Sequence, residues 1–143
     1  MSCPLCDTPG GTLLWQDGFC RVVRADEPDY AGFLRVILNA HVREMSDLSP
    51  AEQQALMRVV FASEVALREV MAPDKVNLAS LGNVVPHLHW HVIPRFSDDP
   101  HFPNPVWGAK LHDAPHAAPA DLDTQLAAAL NRRLAPAPGK ESR

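Results

Sequence analysis

The sequence predicts a single α+β domain with a mainly antiparallel sheet, and three features of its patterning support this prediction. Short apolar runs separated by turn residues occupy the first forty positions, as expected of hairpin-linked strands. A long segment with helical periodicity follows, and then two further apolar runs, so one helix crosses over between two groups of strands. The length of 143 residues is close to the commonest size for one domain.

The first three strands are predicted from turn signals and β-branched residues. Asp17-Gly18 separates the first pair and is a strong two-residue hairpin signal. The acidic segment that follows contains Pro28 and Gly32 and is therefore expected to be a loop. A run rich in Val, Ile and Leu then predicts a buried strand. The predicted strands cover residues 12–16, 19–24 and 33–39, and the loop covers residues 25–32.

The long helix is predicted from the residues at its start and from the spacing of its apolar positions. Ser49 can cap the helix, Pro50 is tolerated at its first position, and Glu52 completes a capping box. Apolar residues then recur at helical spacing until Pro73, before which the helix must end. Two more strands, a long loop and a weaker helix are expected after it, at residues 75–81, 86–94, 96–118 and 119–134.

The domain is therefore expected to span residues 1–134. Within it, the proline-punctuated loop 96–118 carries His101, Phe102 and Trp107, and we expect it to close over a substrate or to meet a dimer partner. Residues 135–143 form a proline-containing polar tail that is predicted to be disordered.

Composition argues against several classes of function. The net charge of −4 and the pI near 5.9 argue against nucleic-acid binding, which usually requires a basic excess. No stretch reaches the roughly 18 apolar residues of a membrane span, and the first residues lack the basic and apolar regions of a signal peptide. Three cysteines are an odd number and fit a reducing compartment, so we expect a cytoplasmic protein.

Three histidines at alternate positions are the most informative feature of the sequence. Side chains of a strand alternate between faces, so His87, His89 and His91 are expected on one face and Trp90 in the core. A spacing of roughly 7 Å allows two rings to serve one phosphate group. A neutral imidazole can attack phosphorus, and a protonated neighbour can stabilise charge or protonate the leaving group. A metal cluster formed by the three rings is the alternative.

The region around these residues resembles the histidine triad (HIT) superfamily of nucleotide hydrolases and transferases. The signature of that superfamily is His-x-His-x-His followed by two apolar residues, which here are Val92 and Ile93. An apolar strand ending near a histidine, a helix, a strand containing Asn77 and a Gly-Asn turn precede the signature in the family order. The resemblance covers most of residues 3–95. It implies a HIT-like α+β fold, an antiparallel β-meander of about five strands with one long helix and a C-terminal helix, and usually a homodimer.

The resemblance also implies roles for individual residues. His89 takes the position of the nucleophile, which forms a nucleotidyl-histidine intermediate that is hydrolysed or passed to another acceptor. His91 would contact the phosphate, and His87 would orient the nucleophile through its backbone carbonyl. The implied substrates are dinucleoside polyphosphates or adenosine phosphoramidates. The residues expected to bind substrate are Asn77, Asn83 and Asp26.

Two departures from the family pattern support other functions. Val84 stands where the family often has a serine or threonine, and it cannot donate a hydrogen bond. Phe33 stands where many members have a further histidine. A catalytically weak nucleotide-binding regulatory protein of the same fold is therefore the alternative to a hydrolase. A metal-storage or metalloenzyme function centred on the three histidines is a third hypothesis.

A Cys-x-x-Cys pair near the start provides a second candidate site. Cys3 and Cys6 have zinc-knuckle spacing, although alone they supply half of a tetrahedral site and are equally consistent with a redox pair. The resemblance extends to bacterial members, and to related uridylyltransferases, that complete the site with a histidine after the third strand and the first histidine of the triad. Those positions are His41 and His87 here, so the resemblance implies a structural zinc ion bound by Cys3, Cys6, His41 and His87.

Overall fold

The structure, a computed structural model, describes residues 2–135. Within these residues the chain forms five strands, three helices and one 3₁₀ turn. In order they are α1 (Pro4–Asp7), β1 (Thr12–Gln16), β2 (Cys20–Arg24), β3 (Leu34–Leu38), the 3₁₀ turn (Met45–Asp47), α2 (Pro50–Met71), β4 (Lys75–Ala79), β5 (His89–Arg95) and α3 (Leu122–Leu134). Apart from Ala135, the tail predicted at 135–143 lies outside the described residues.

The five strands form one antiparallel sheet in the order β1-β2-β3-β5-β4. The first three strands follow one another as a meander. The chain then crosses over through α2 to the far edge, and β4 and β5 form a hairpin that inserts β5 beside β3. This arrangement confirms the predicted α+β class, with a five-stranded antiparallel sheet, one long helix and a C-terminal helix.

The start of α2 is fixed by the predicted capping box. The Glu52 backbone N–H donates to Ser49 Oγ at 3.2 Å, and the Ser49 backbone N–H donates to Glu52 Oε1 at 2.9 Å. These contacts satisfy N–H groups that have no partner within the helix. The helix ends at Met71, and Ala72 then adopts the left-handed conformation with φ of 48°.

α2 and α3 cover one face of the sheet and form the hydrophobic core with it. Apolar residues at alternate positions of the strands point to this face, and the residues between them point to the opposite one. The opposite face carries a smaller apolar cluster of Leu5, Val23 and Ile37. The centre of the core consists of Val22, Leu34, Val36, Leu38, Leu56, Val60, Leu67, Leu126 and Leu130. Within residues 2–135, no helix has the length and hydrophobicity to span a membrane.

Some boundaries differ from the predicted ones. The hairpin turn is longer than two residues, because Asp17 Oδ1 accepts hydrogen bonds from the backbone N–H groups of both Phe19 and Cys20, each at 2.9 Å. β5 begins at His89 rather than at residue 86, because the Leu88 backbone N–H donates to Val42, beyond the end of β3. Trp90 is half-buried at the edge of the core, where a cleft opens beside the 3₁₀ turn.

Candidate active site and metal centre

The face of the sheet opposite α2 and α3 carries the predicted catalytic histidines. On β5, His89 lies opposite Ile37 of β3, and His91 lies opposite Arg35. The two imidazole rings approach to 5.0 Å between centroids, with their planes at 86°. Both side chains are buried. The structure therefore brings His89 and His91 together at one point of the sheet.

A short hydrogen bond fixes the orientation of His89. Its Nδ1 lies 2.6 Å from the backbone oxygen of His87. Because a carbonyl oxygen can only accept, Nδ1 carries the proton and Nε2 keeps its lone pair. This is the tautomer that a nucleophilic imidazole needs.

Aromatic rings enclose His91. Its centroid lies 5.5 Å from that of Phe33 and 5.2 Å from that of Trp107, both in edge-on contact. Burial, together with the neighbouring His89 and Arg35, lowers the pKa of His91 to about 4. At neutral pH the ring is therefore uncharged. It can donate one N–H to a phosphoryl oxygen, but it does not supply the positive charge of the protonated neighbour considered from the sequence.

The two histidines open onto a cavity of about 740 Å³. This volume is in the range of small-molecule sites. The walls come from α1 and the residues after it, from β3, from the loop between β4 and β5, and from the loop 96–118. Asn83 is part of the wall, and Val84 beside it is 93% exposed.

The two other predicted substrate-binding residues do not line this cavity. Asn77 on β4 accepts a hydrogen bond from Arg95 Nη1–H at 2.8 Å, so its amide oxygen is used within the protein. Asp26 is exposed in the loop after β2. The structure brings Asn83 to the histidines and leaves Asn77 and Asp26 outside the cavity wall.

The four predicted metal ligands converge beside the first residue of the triad. His87 Nδ1 lies 3.5 Å from Cys3 Sγ, 3.5 Å from Cys6 Sγ and 3.2 Å from His41 Nδ1. The Cys6 Sγ to His41 Nδ1 distance is 3.4 Å, and all four ligand atoms lie within 4.8 Å of one another. Ligand atoms on a tetrahedron of about 2.0–2.3 Å radius stand roughly 3.3–3.8 Å apart, so the cluster has the dimensions of a zinc site.

The protonation pattern of His87 also suits a metal ligand. Its Nε2 lies 2.6 Å from the backbone oxygen of Leu38, so this nitrogen carries the proton and donates. Nδ1, which points at the cysteines, is left with its lone pair. A ligating histidine whose second nitrogen donates to a carbonyl is the usual arrangement in metalloproteins.

Arg21 holds the segment of the two cysteines in place from the sheet, although no sequence motif pointed to it. Its guanidinium donates to the backbone oxygens of Leu5 and Pro9, at 2.6 and 2.9 Å, and to Asn39 Oδ1 at 3.0 Å. It thereby holds α1, with Cys3 and its neighbours, against β2. The signal available in the sequence was an arginine among the apolar residues of the predicted strand 19–24.

A buried ion pair anchors the loop 96–118. Arg95 Nε donates to Asp99 Oδ2 at 2.8 Å, and the Tyr30 hydroxyl donates to Asp99 Oδ1 at 3.1 Å. Burial alone would raise the pKa of Asp99, but the hydrogen bonds from Arg95 and from backbone N–H groups outweigh it and hold the pKa well below its usual range. The anchored loop carries Trp107 to its contact with His91.

Comparison with known proteins relates this geometry to a family. A family model described as the HIT domain matches residues 10–98. A curated relative, the AP-4-A phosphorylase of Mycobacterium tuberculosis, is 29% identical over 90 residues, which cover 59% of this chain. The match spans 46% of that relative, so it relates this chain to about half of the longer protein.

Solved structures share the fold over most of the chain. A histidine triad protein from Bradyrhizobium japonicum is 30% identical, with a TM-score of 0.70 over 87% of this chain and 91% of its own. A histidine triad protein from Sinorhizobium meliloti is 28% identical, with a TM-score of 0.69 over 88% and 91%. A zinc-bound histidine triad family protein from Mycobacterium smegmatis is 25% identical, with a TM-score of 0.61 over 92% and 95%.

Proposed function

Because the chain belongs to the HIT domain family, we propose that it is a nucleotide hydrolase or transferase that acts through a nucleotidyl intermediate on His89. The observation that carries this proposal is the 2.6 Å contact between His89 Nδ1 and the His87 carbonyl oxygen, which holds the proton of the neutral ring on Nδ1, in a residue that lines the cavity. The substrates are dinucleoside polyphosphates or adenosine phosphoramidates. The name of the AP-4-A phosphorylase relative supports a dinucleotide substrate.

The reaction has two steps. The lone pair of His89 Nε2 forms an N–P bond while the bond from phosphorus to the leaving group breaks, and the leaving group departs with its electron pair. Water or another acceptor then forms a bond to phosphorus and loses a proton to solvent, while the N–P bond breaks and its electron pair returns to His89 Nε2. The positive charge that His89 carries between the steps is stabilised by the His87 carbonyl oxygen. His91 and the Asn83 amide are hydrogen-bond donors for the phosphoryl oxygens.

Intact-mass spectrometry tests this proposal. Wild type, His89→Ala and the control His112→Ala, which removes an exposed histidine, are mixed with diadenosine tetraphosphate or adenosine phosphoramidate and quenched away from acid. We expect an adenylyl adduct on wild type and on the control, no adduct on His89→Ala, and turnover by that variant lower by about 1,000-fold or more. An adduct on His89→Ala would contradict the proposal.

The alternative is a catalytically weak nucleotide-binding regulatory protein of the same fold. Val84 favours it, because this fully exposed apolar residue at the cavity offers no side-chain donor to a phosphate. The same experiment distinguishes the two functions. Tight nucleotide binding by wild type and His89→Ala alike, without adduct or turnover in either, supports the regulatory protein.

We also propose that Cys3, Cys6, His41 and His87 hold a structural zinc ion. The distances within the cluster and the free Nδ1 of His87 support this. When bound, zinc supplies a rigid four-coordinate link between α1, the end of β3 and the start of β5. The four protein ligands fill a tetrahedron, so they leave no open position for a substrate.

Metal analysis tests the zinc proposal against a matched control. Both His41 and His112 are exposed, and His41→Gln removes one ligand whereas His112→Gln removes none. We expect about one zinc per chain in wild type and His112→Gln, and both a lower zinc content and a lower melting temperature in His41→Gln. Metal that is unaffected by His41→Gln but lost in His89→Gln would instead support the metalloenzyme hypothesis.

The third part of the proposal is a homodimer. β4 is an outer strand of the sheet and has one neighbour, β5, so the hydrogen-bonding groups along its other side are available to a second strand. A cleft of about 760 Å³ runs along β4 and reaches Trp107. Light scattering coupled to gel filtration should give about twice the chain mass of 15.7 kDa. A mass near that of one chain would contradict the dimer.

A further inference from the structure

Arg35 is the feature of the cavity that the proposed reaction does not use. Among the residues that line the cavity, all within the described part of the chain, it is the one with a permanently charged side chain. It lies on β3 directly opposite His91, where cross-strand neighbours have their Cβ atoms about 5 Å apart. A cation therefore stands beside the histidine pair, and no carboxylate of residues 2–135 lines the cavity with it.

The guanidinium of Arg35 makes few and long polar contacts with the rest of the protein. Its Nη1 donates to the Gly10 backbone oxygen at 3.3 Å, and its Nη2 lies 3.9 Å from Glu27 Oε1. Its Nε is buried, and no acceptor within residues 2–135 lies at hydrogen-bond distance. Arg21, two strand positions away across the sheet, makes four hydrogen bonds to the protein. Arg35 thus has N–H donors that other groups of the protein do not use well. The planar arrangement of these donors matches a phosphate group.

The position of Arg35 indicates which phosphate it serves. Ile37, and not Arg35, lies opposite the nucleophile, so Arg35 is displaced along the sheet from His89 by one alternate strand position. The two backbone positions are displaced by roughly 7 Å along the strand, so the Arg35 side chain can reach a phosphate next to the one that Nε2 attacks. A polyphosphate chain that extends from that phosphorus past His91 reaches Arg35. The charge of Arg35 also contributes to the lowered pKa of His91, as a cation close to the ring must.

We propose that Arg35 binds a phosphate of the leaving group, so that the site prefers nucleotides with a polyphosphate leaving group to phosphoramidates with an uncharged amine. This inference rests on the proposed function. When the P–O bond breaks, its electron pair goes to the oxygen of the departing phosphate, and Arg35 neutralises part of the charge that this phosphate gains. A departing amine takes a proton from solvent as the P–N bond breaks and leaves as neutral ammonia, so it gains no negative charge for a cation to neutralise.

The kinetic test compares the two substrate classes in matched variants. Arg35→Gln removes the charge in the cavity, Arg35→Lys keeps the charge without the fork, and Arg58→Gln removes an exposed arginine from α2 as a control. For diadenosine tetraphosphate, we expect kcat/KM of Arg35→Gln to fall by about 10- to 100-fold and that of Arg35→Lys to fall less. For adenosine phosphoramidate, the losses in both Arg35 variants should be smaller than those for diadenosine tetraphosphate, and the control should stay within about threefold of wild type on both substrates. Equal losses for the two substrates, or no loss for either, overturn the inference.

A binding measurement separates this inference from the proposed reaction. In a His89→Asn background, calorimetry with inorganic tripolyphosphate and with orthophosphate measures the anion site without turnover. We expect Arg35→Gln to weaken tripolyphosphate by about tenfold or more and orthophosphate much less. Equal tripolyphosphate affinity with and without Arg35 overturns the inference even if the enzyme is active. Arg35-dependent tripolyphosphate binding supports it even if wild type turns over neither substrate, an outcome that would contradict the proposed function alone.

Glu27 provides a variant that should act in the opposite direction. Its carboxylate is the one acidic group in ion-pair distance of Arg35 within the described residues, and it is partly exposed. Glu27→Gln should therefore strengthen tripolyphosphate binding by a few-fold, because the guanidinium loses a competing anion. Weaker binding by Glu27→Gln would contradict a direct contact between Arg35 and the phosphate.

Discussion

His87 connects two sites through three of its atoms. Its Nδ1 faces the cysteines, its Nε2 donates to Leu38, and its backbone oxygen accepts from His89 Nδ1. Because both ring nitrogens of His87 have contacts, the position of the whole residue is fixed. Its backbone carbonyl is therefore also held at one position. The tautomer of His89 is thereby determined by a residue that belongs to the Cys/His cluster.

The burial of His91 predicts a loss of stability in acid. Its pKa of about 4 lies below the ordinary value of 6.5. Between these two pH values, His91 binds a proton in the unfolded chain but stays unprotonated in the folded chain. Stability is therefore fully present above pH 6.5 and is lost towards pH 4, by on the order of 3 kcal/mol from this residue. Urea denaturation at several pH values should show a shallower pH dependence in His91→Gln than in wild type.

The control for this prediction is His112→Gln, which removes an exposed histidine. Its unfolding free energy should follow that of wild type over the same pH range. His87 is present in all three proteins, so any contribution of its own lowered pKa cancels in the comparison. Parallel curves for wild type and His91→Gln would show that His91 is not held neutral by the fold.

At the level of elements, the sequence predicted structure best where local residues decide it. The start of α2 depends on Ser49 and Glu52, which are three positions apart and contact each other directly. The start of β5 depends instead on the pairing of Leu88 with Val42, which are distant in the sequence. Strand periodicity therefore placed the histidines on one face but extended the strand three residues too far.

The capping box gives a prediction for α2 alone. Ser49→Ala leaves the Glu52 backbone N–H without its partner and should lower the free energy of unfolding by about 1 kcal/mol. Because Ser49 is not among the residues that line the cavity, turnover should not change. Ser49→Ala combined with Glu52→Ala should cost less than the sum of the single changes, as urea denaturation can measure. Additive costs would mean that the two contacts form independently.

For the whole molecule, the Arg95–Asp99 pair lies where segments far apart in the sequence meet. Asp99 receives hydrogen bonds from Arg95 at the end of β5, from Tyr30 in the loop before β3, and from backbone N–H groups of its own loop. Arg95 and Asp99 are only four residues apart, but nothing in the sequence predicts the contact of Tyr30 with Asp99. This is also why Asn77 was expected to contact substrate: its use by Arg95 is visible only in the folded chain.

Breaking this pair should be costly. Asp99→Asn leaves the guanidinium of Arg95 buried without its counter-ion, and we expect a loss of about 3 kcal/mol or more in the free energy of unfolding. The control Asp98→Asn changes the neighbouring exposed carboxylate and should cost less than about 1 kcal/mol. Equal melting temperatures for the two variants would show that the ion pair does not anchor the loop.

In the candidate active site, too, some residues are neighbours in the sequence and others come from distant parts of the chain. His89 and His91 follow one another on a strand, so their proximity is a consequence of period two. Arg35, Arg21 and Trp107 come to the site from β3, β2 and the loop 96–118, and only the register of the sheet and the path of the loop bring them there. The sequence therefore identifies the histidines of the proposed reaction, and the tertiary structure identifies their surroundings.

The position of Trp107 has a practical consequence for optical work on this protein. Of the three tryptophans, Trp15 and Trp90 are half-buried against the core, whereas Trp107 is 53% exposed and lies at the cavity against His91. Indole emission depends on its surroundings, so a molecule that enters the cavity changes the fluorescence of this residue. The protein thus has an intrinsic fluorophore in the wall of its cavity. Ligands can be screened by their effect on its emission, without a label and without waiting for turnover.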